Sequence, residues 1–545
     1  DIFSTTAPVQ AGSNYFYTCY ARNTAGSAWA SPALPYGTRR IRYVAGNATG
    51  GGTGYSWSNA FTTVQAALDD CLSTKTNLVC VKGGIYTLSI PVTWSRNHVT
   101  IRGGYEGTGN PGNRDSAQWP TAISNVAAIT QLFSLNGVSD GRIEYLTFTS
   151  ANAPGNGGAI SVANATNITV ANCLLTNNKA ARYGGALAVS GSTNVVITGC
   201  TLSGNAVLNN VAEARGGAFY GENSYGTITN CVVERNRTSS TSGSYWYGGA
   251  GLYLVGGNWL LRDSHVRYNY TRHYYSGGGG LLVASGTHQL RNCTVVGNDV
   301  ESWYSSGWTG DGICQNGGTL TLDNCTLAAN GGEGWRINAG TASARNSILW
   351  ENSDDVNRQG GSLTLVNCDI QDGDAGPGCI SVNPFFERGL YLAAGSLCVD
   401  AGADNAADVQ LLSYTTRADG TTDGGMVDLG YHAFTGMPAA TADLYVSTNG
   451  NNNSSGTNWA LAFRTITKAL ATAQEGSRIH VAVGNYSNDV ETFPLPINRV
   501  GLQMLGINSE ATVIRAPGNP TQARVLHVEN ALLCLVSGVT ISGGY

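Results

Sequence analysis

The stretch CLLTNNKAARYGGALAVSGSTNVVITGCTLSGN, residues 173–205, contains the same short phrase twice: Cys173-Leu175-Asn178 and, 27 residues on, Cys200-Leu202-Asn205. Outward from it the phrase recurs as Cys231-Val233-Asn236, Ser264-Val266-Asn269, Cys293-Val295-Asn298, Cys325-Leu327-Asn330 and Ser347-Leu349-Asn352, with steps of 31, 33, 29, 32 and 22 residues between the asparagines. A period of roughly 20–50 residues marks a repeat architecture in which each unit buries its apolar face only against its neighbours.

Within each repeat, runs such as Asn194-Val195-Val196-Ile197-Thr198 and Thr319-Leu320-Thr321-Leu322-Asp323 alternate with the period of two that strands require. No amphipathic run of helical length lies between residues 85 and 440, so stacked coils of three short parallel strands fit better than helix pairs. Stacking places Asn178, Asn205, Asn236, Asn269, Asn298, Asn330 and Asn352 in one ladder. It is expected at a tight corner where Asn tolerates left-handed geometry and amides bond from coil to coil. The Cys/Ser positions are expected to point inward as small filler. Glycine marks (Gly184-Gly185-Ala186, Gly216-Gly217-Ala218, Gly248-Gly249-Ala250, Gly278-Gly279-Gly280) precede the next strand, where close stacking excludes a side chain.

These residues resemble the GGA-(I/L/V) and F-x-x-N repeats of polymorphic outer-membrane proteins, with Leu or Val in place of the family's Phe. The resemblance implies an all-β, right-handed, single-stranded parallel β-helix of the pectate-lyase kind over 95–375. Residues 43–86 recur near 445–486 (Tyr43-Val44 with Tyr445-Val446, Trp57 with Trp459, Phe61 with Phe463), including a short helix whose apolar face is expected to carry Phe61, Val64 and Leu68, then Phe463, Ile466 and Leu470. That block resembles the opening of bacterial choice-of-anchor-type extracellular β-helix domains, where a helix covers the first coil. Asn383-Pro384-Phe385-Phe386 through Val427-Asp428-Leu429-Gly430-Tyr431 resembles their closing segment. Residues 1–36 resemble the tail of a fibronectin type III sandwich. The expected organisation is a partial sandwich (1–36), a first module (41–436, with cap 41–86, coils 95–375 and closing segment 379–434) and the start of a second module (443–545). A chain that begins and ends inside domains is expected to be a segment of a longer polypeptide, or a subunit completed by its neighbours.

Only 12% of residues are charged and 73 are glycine, which excludes a disordered polyelectrolyte and a helical bundle. A net charge of −5, with no basic run interleaved with aromatics, argues against nucleic acid. No run of 18 apolar residues is present to span a membrane. Of the 13 cysteines, those in the ladder are expected to be free thiols. Cys71/Cys80 and Cys379/Cys398 span loops that either disulfides or thiols would suit.

Pectate lyases and polygalacturonases share this architecture, so catalysis has to be weighed. A glycosidase needs two carboxylates about 5–9.5 Å apart, and the sparse carboxylates between 145 and 350 suggest no pair; no catalytic residue is assigned. Aromatic and Arg residues gather before the glycine marks: Tyr183, Tyr245, Trp246, Tyr247, Arg272, Tyr274, Tyr275, Trp303, Tyr304 and Trp308. They suit a binding edge for sugar rings or a partner protein, or rings packed together under long loops. Asp372 and Asp374, and Asp419, Asp423 and Asp428, suit calcium, or solvated Asx-turns. The expected function is an extracellular or cell-surface structural and adhesive protein of bacterial type. It would be a rigid rod of about 4.8 Å per coil that self-associates head-to-tail or joins flanking modules. The alternatives are a carbohydrate-active lyase or hydrolase and a non-catalytic glycan-binding adhesin.

Overall fold

The computed structural model describes residues 14–17, 20–23, 26–29, 34–37, 39–125, 131–209, 213–240, 247–273, 276–302, 310–434, 443–517, 524–529 and 531–544. The chain divides into two compact units, residues 1–260 and 261–545. Its strands form long parallel sheets, and the fold is an all-β parallel β-helix.

In the first unit, Asn14–Tyr17 pairs antiparallel with Leu34–Gly37, and Tyr20–Asn23 with Gly26–Trp29. Coils begin at Arg40–Val44, which lies parallel to Asn77–Lys82. From there each turn contributes one strand to each of three sheets; Thr166–Ala171, Leu174–Thr176 and Leu187–Ser190 make one such turn. The register is regular: Leu175 opposes Leu202, which opposes Val233, and all three are buried. The opening helix, Val64–Asp69, is capped by the Thr63 hydroxyl, which accepts from the Ala66 N–H, and buries Val64, Ala67 and Leu68. Phe61 and Phe463, expected on the helix faces, precede the helices instead and bridge Val44 and Val446 in parallel backbone pairings.

The second unit continues the same plan from His265–Arg267 to Asp369–Ile370. The second copy of the opening block, Asp443–Val446 to Gly484–Ser487, repeats the first in detail. Helix Ile466–Thr472 is capped by Thr465. The Tyr486 hydroxyl donates to the Val446 and Ala482 carbonyls, as Tyr86 does to those of Val44 and Lys82. The segment after the last coil runs back along the coils: the side chain of Asn292 bonds both the N–H and the carbonyl of His432. Asn346 accepts from the Ala403 N–H and donates to Asp404, and Asn367 donates to the Ala401 carbonyl.

Three details differ from the sequence reading. First, three strands per turn become four where the chain between the Asn and the glycine mark is long. Asn152–Ala153, Lys179–Ala180, Ala206–Asn209 and Arg237–Ser240 form an extra parallel sheet in the first unit, and Tyr270–His273 pairs with Asp299–Ser302 in the second. Second, the ladder asparagines do not take the left-handed backbone. That conformation falls one residue earlier, on Asn177, Gly204 and Arg235, then on Tyr268, Gly297, Ala329 and Glu351. The ladder amides turn inward instead. The Oδ1 of Asn205 accepts from both the N–H and the Nδ2 of Asn178 at 3.0 Å, while its own Nδ2 donates to the Leu175 carbonyl at 2.8 Å. The second unit repeats this from Asn269 to Asn298, Asn330 and Asn352. Third, the third glycine mark is shifted by one: Phe219 opposes Leu252, so Gly249-Ala250-Gly251, not Gly248-Gly249-Ala250, aligns with Gly216-Gly217-Ala218.

All twelve described cysteines are free thiols. Neither candidate bridge forms, because the thiols are engaged elsewhere: Cys71 donates to the Ala67 carbonyl and Cys398 to Asp369. The Cys368 thiol bonds the half-buried Cys379 and holds it down to about 6, whereas burial pushes Cys71 and Cys80 up to about 11. Alkylation with iodoacetamide at pH 7, followed by peptide mass mapping, should therefore label Cys379 well before the ladder thiols Cys173, Cys200 and Cys231. Labelling of the ladder thiols at a comparable rate would contradict the packing.

Candidate functional site

Two side-chain groupings on the coil edge and one in the returning segment carry the chemistry. On the first unit, Tyr183, Tyr220 and Tyr253 form a stack. Centroids of the first pair are 4.6 Å apart and of the second 5.6 Å, with planes within 26°. Register makes this stack, since Tyr220 opposes Tyr253 across adjacent parallel strands. The Arg215 guanidinium lies over the rings of Tyr183 and Tyr253, and its Nη2 is 3.1 Å from Glu213. Glu213 also accepts from the Tyr183 hydroxyl at 2.6 Å. Burial, then the bonded Glu213, raises the Tyr183 hydroxyl above its ordinary range, so the phenol remains a donor at neutral pH. Tyr220 and Tyr253 are buried, Tyr183 is half-buried and Arg182 is exposed, so the reachable surface is narrow.

Of the residues proposed from sequence for this edge, Tyr183 and Arg272 fall in described positions. Arg272 sits 3.4 Å from Glu301 in the extra sheet of the second unit. Tyr245, Trp246, Tyr274, Tyr275, Trp303, Tyr304 and Trp308, and the side chain of Tyr247, lie outside the described residues. Sequence reasoning missed Tyr220 and Tyr253. Both stand four residues after the left-handed glycine of their mark, at Gly216 and Gly249, so the register signal was present.

On the second unit, carboxylates converge beside the Asn ladder. Buried Asp311 accepts from the N–H groups of Val300 and Glu333, at 3.0 and 3.3 Å. Glu333 accepts from the Gly310 N–H and from Arg336. It also stands in register with Asp354 on the next coil. Asp355 accepts from Asn352 and the Gln371 N–H, and its own N–H donates to Asp372. Gly331 and Gly332 make room: a Cβ there would lie 2.4 Å from Asp299 Oδ1 and 2.5 Å from Asp311 Oδ2. Burial, aided by the neighbouring Asp299 and Glu333 charges, pushes Asp311 up to about 7, and burial with Asp372 pushes Asp355 up to about 6.

An acid raised in the folded state binds its proton more tightly there than in the unfolded chain. Stability therefore falls as pH rises from about 4, the unfolded carboxyl value, and levels off above about 7. Urea unfolding between pH 4 and 8 should show that decline, and Asp311→Asn should flatten it. An unchanged slope in the variant would remove Asp311 as its source.

The acidic residues proposed for calcium separate into different roles. Asp372 serves the Asp355 N–H, and Asp374 stands near it, raised by burial and by the Asp372 charge. Asp419 is an exposed partner of Arg417 and accepts from the Thr421 N–H. Asp423 and Asp428 instead come together with His432, and all three are buried. The His432 Nε2 is 2.8 Å from Asp423 Oδ2, and its Nδ1 is 2.9 Å from the Gly430 carbonyl. Asp428 accepts from the Asp400 N–H and from the Thr416 hydroxyl. Among the described residues this is the only group of three His, Cys, Asp or Glu side chains with ligand atoms within 4.8 Å of one another. Sequence reasoning passed over His432, although it stands four residues after Asp428.

Residues 131–309 match the family described as right handed beta helix region, and residues 448–513 match a protein family of unknown function, DUF1565. Among solved structures, the pectate lyase Pel9A is similar at 16% identity and a TM-score of 0.37, over 72% of this chain and 96% of that one. A mutant form of the PL6 family alginate lyase AlyGC is similar at 12% identity and a TM-score of 0.29, over 88% and 71%. The A-module of the Azotobacter vinelandii mannuronan C-5 epimerase AlgE4 is similar at 13% identity and a TM-score of 0.20, over 59% and 95%. No curated protein matches the sequence. The chain carries a right-handed parallel β-helix.

Proposed function

We propose that the chain is an extracellular structural and adhesive scaffold, which meets its partners along the coil edge that bears the long excursions. The observation that supports this reading is the state of the carboxylates in the first unit. Glu144 is bound by Arg102 and Arg142, Glu213 by Arg215 and Tyr183, and Glu234 by Arg235. A carboxylate held between two cationic or hydroxyl partners is a poor general base, because protonating it breaks those bonds. A half-buried Tyr beside an exposed Arg, by contrast, suits stacking on a sugar ring or a partner's side chain. Glycan-array binding of the wild type and of Arg182→Ala and Tyr183→Ala tests the reading. Binding that weakens in both variants supports it, and binding unchanged in both removes this edge.

One observation favours the rival reading, a carbohydrate-active lyase or hydrolase. Asp311 is poised near neutrality, and Glu333 and Asp354 stand on adjacent coils in register. Incubation with polygalacturonate and with alginate, followed by reducing-end assay, distinguishes the two. Product formation that is lost in Glu333→Gln would replace the scaffold reading.

A further inference from the structure

The contacts of His432 fix where its protons are. Nδ1 faces the Gly430 carbonyl oxygen at 2.9 Å, and a carbonyl only accepts, so Nδ1 carries a hydrogen. Nε2 faces a carboxylate oxygen, Asp423 Oδ2, at 2.8 Å. Two acceptors do not approach so closely without a hydrogen between them, so one proton is shared by Nε2 and Oδ2. Asp423 Oδ2 is further bound by the Asp428 N–H at 3.1 Å. The other oxygen, Asp423 Oδ1, is buried without a hydrogen-bond partner, and the Asp423 side chain is only 1% exposed. A lone buried carboxylate oxygen is costly, and none of the described residues offsets that cost at this atom.

From this geometry we propose that Asp423, Asp428 and His432 form a binding site for one small divalent transition-metal ion. The ion takes the place of the shared proton and supplies the missing partner of Asp423 Oδ1. The donor set is one imidazole nitrogen and two carboxylates, which suits Zn²⁺ or Mn²⁺ better than calcium, an ion that prefers six to eight oxygens. The Gly430 carbonyl fixes the tautomer that leaves Nε2 free to coordinate, as outer partners of metal-bound histidines do. In the binding step the ion coordinates Nε2 and carboxylate oxygens of Asp423 and Asp428, and the displaced proton passes to solvent. Asn292 clamps the His432 backbone on both sides. Metal binding would therefore pin the returning segment to the coils, independently of what the coil edge recognises.

Isothermal titration of the whole chain with ZnCl₂, MnCl₂ and CaCl₂, in two buffers of different ionisation enthalpy, tests the proposal. Saturable binding of one Zn²⁺ or Mn²⁺ is expected, with release of at least about one proton and a raised melting temperature. His432→Gln and Asp423→Asn should abolish that binding, and Asp419→Asn should leave it intact. If the first two variants fold poorly, proton release by the wild type still decides the matter. No saturable binding of either transition metal, binding without proton release, or tighter binding of Ca²⁺ than of Zn²⁺ would overturn the assignment.

Discussion

Asn205→Ala is expected to destabilise its unit by about 3–9 kcal/mol, at about 1–3 kcal/mol for each of three buried polar groups left unpaired. The substitution removes the oxygen that accepts from the Asn178 N–H and Nδ2, and the amide that donates to the Leu175 carbonyl. It also strips a donor from Asn236 Oδ1, which accepts from both the N–H and the Nδ2 of Asn205. All three asparagines are fully buried, so water does not substitute. The contrasting variant is Asn177→Ala, next to a ladder residue but at φ 54°. Its expected cost is only the left-handed backbone penalty, about 1–2 kcal/mol. Urea unfolding of both variants separates a buried amide ladder from mere preference for Asn at a turn. Equal effects would count against the ladder.

Gly185→Ala is the second severe change. Gly185 is not in a left-handed conformation; the objection is steric. An added Cβ would sit 2.1 Å from the Gly217 carbonyl oxygen and 2.6 Å from that of Ala206, both backbone atoms of neighbouring turns. Backbone of an adjacent coil has no rotamer in which to retreat, so the coils must part. A loss of more than about 3 kcal/mol follows from overpacking at such a site. Gly155→Ala is the control. A Cβ there meets nothing within 4 Å, and its change is expected within about 0.5 kcal/mol. Melting temperatures of the two purified variants provide the comparison, and a Gly185→Ala protein as stable as wild type would refute the close approach of coils.

Much of this fold is legible in the sequence because stacking repeats a requirement once per turn. Cys173, Cys200 and Cys231 are small because each is buried at the same corner between strands and stacks on the next, and Asn178, Asn205 and Asn236 are Asn because each must both donate and accept. The left-handed position was assigned to the wrong neighbour for a physical reason. The ladder asparagines recur every turn because each makes the same buried bonds, whereas the residue before them varies among Asn, Gly, Arg, Tyr, Ala and Glu. The extra strands escaped notice because the excursions between Asn and glycine mark differ in length from turn to turn. The sites were less legible still. Glu333 and Asp354 are brought into register by coils of unequal length, and His432 meets Asn292 only because the closing segment turns back along the coils. Chain separation conceals such contacts: 140 residues lie between His432 and Asn292.

Cross-linking across adjacent coils tests the registered stack most directly. Thr166 opposes Thr193, with hydroxyls 3.2 Å apart, and in the second unit Thr319 opposes Thr341. Cysteines at laterally paired positions of parallel strands fall within bridging distance, about 4.4–6.8 Å between Cα atoms. Mild oxidation of Thr166→Cys/Thr193→Cys and of Thr319→Cys/Thr341→Cys, read by non-reducing peptide mapping, should give the intramolecular disulfide in high yield. The offset pair Thr166→Cys/Thr198→Cys should remain reduced. Failure of both registered pairs to bridge, or equal bridging by the offset pair, would contradict the stacked coils.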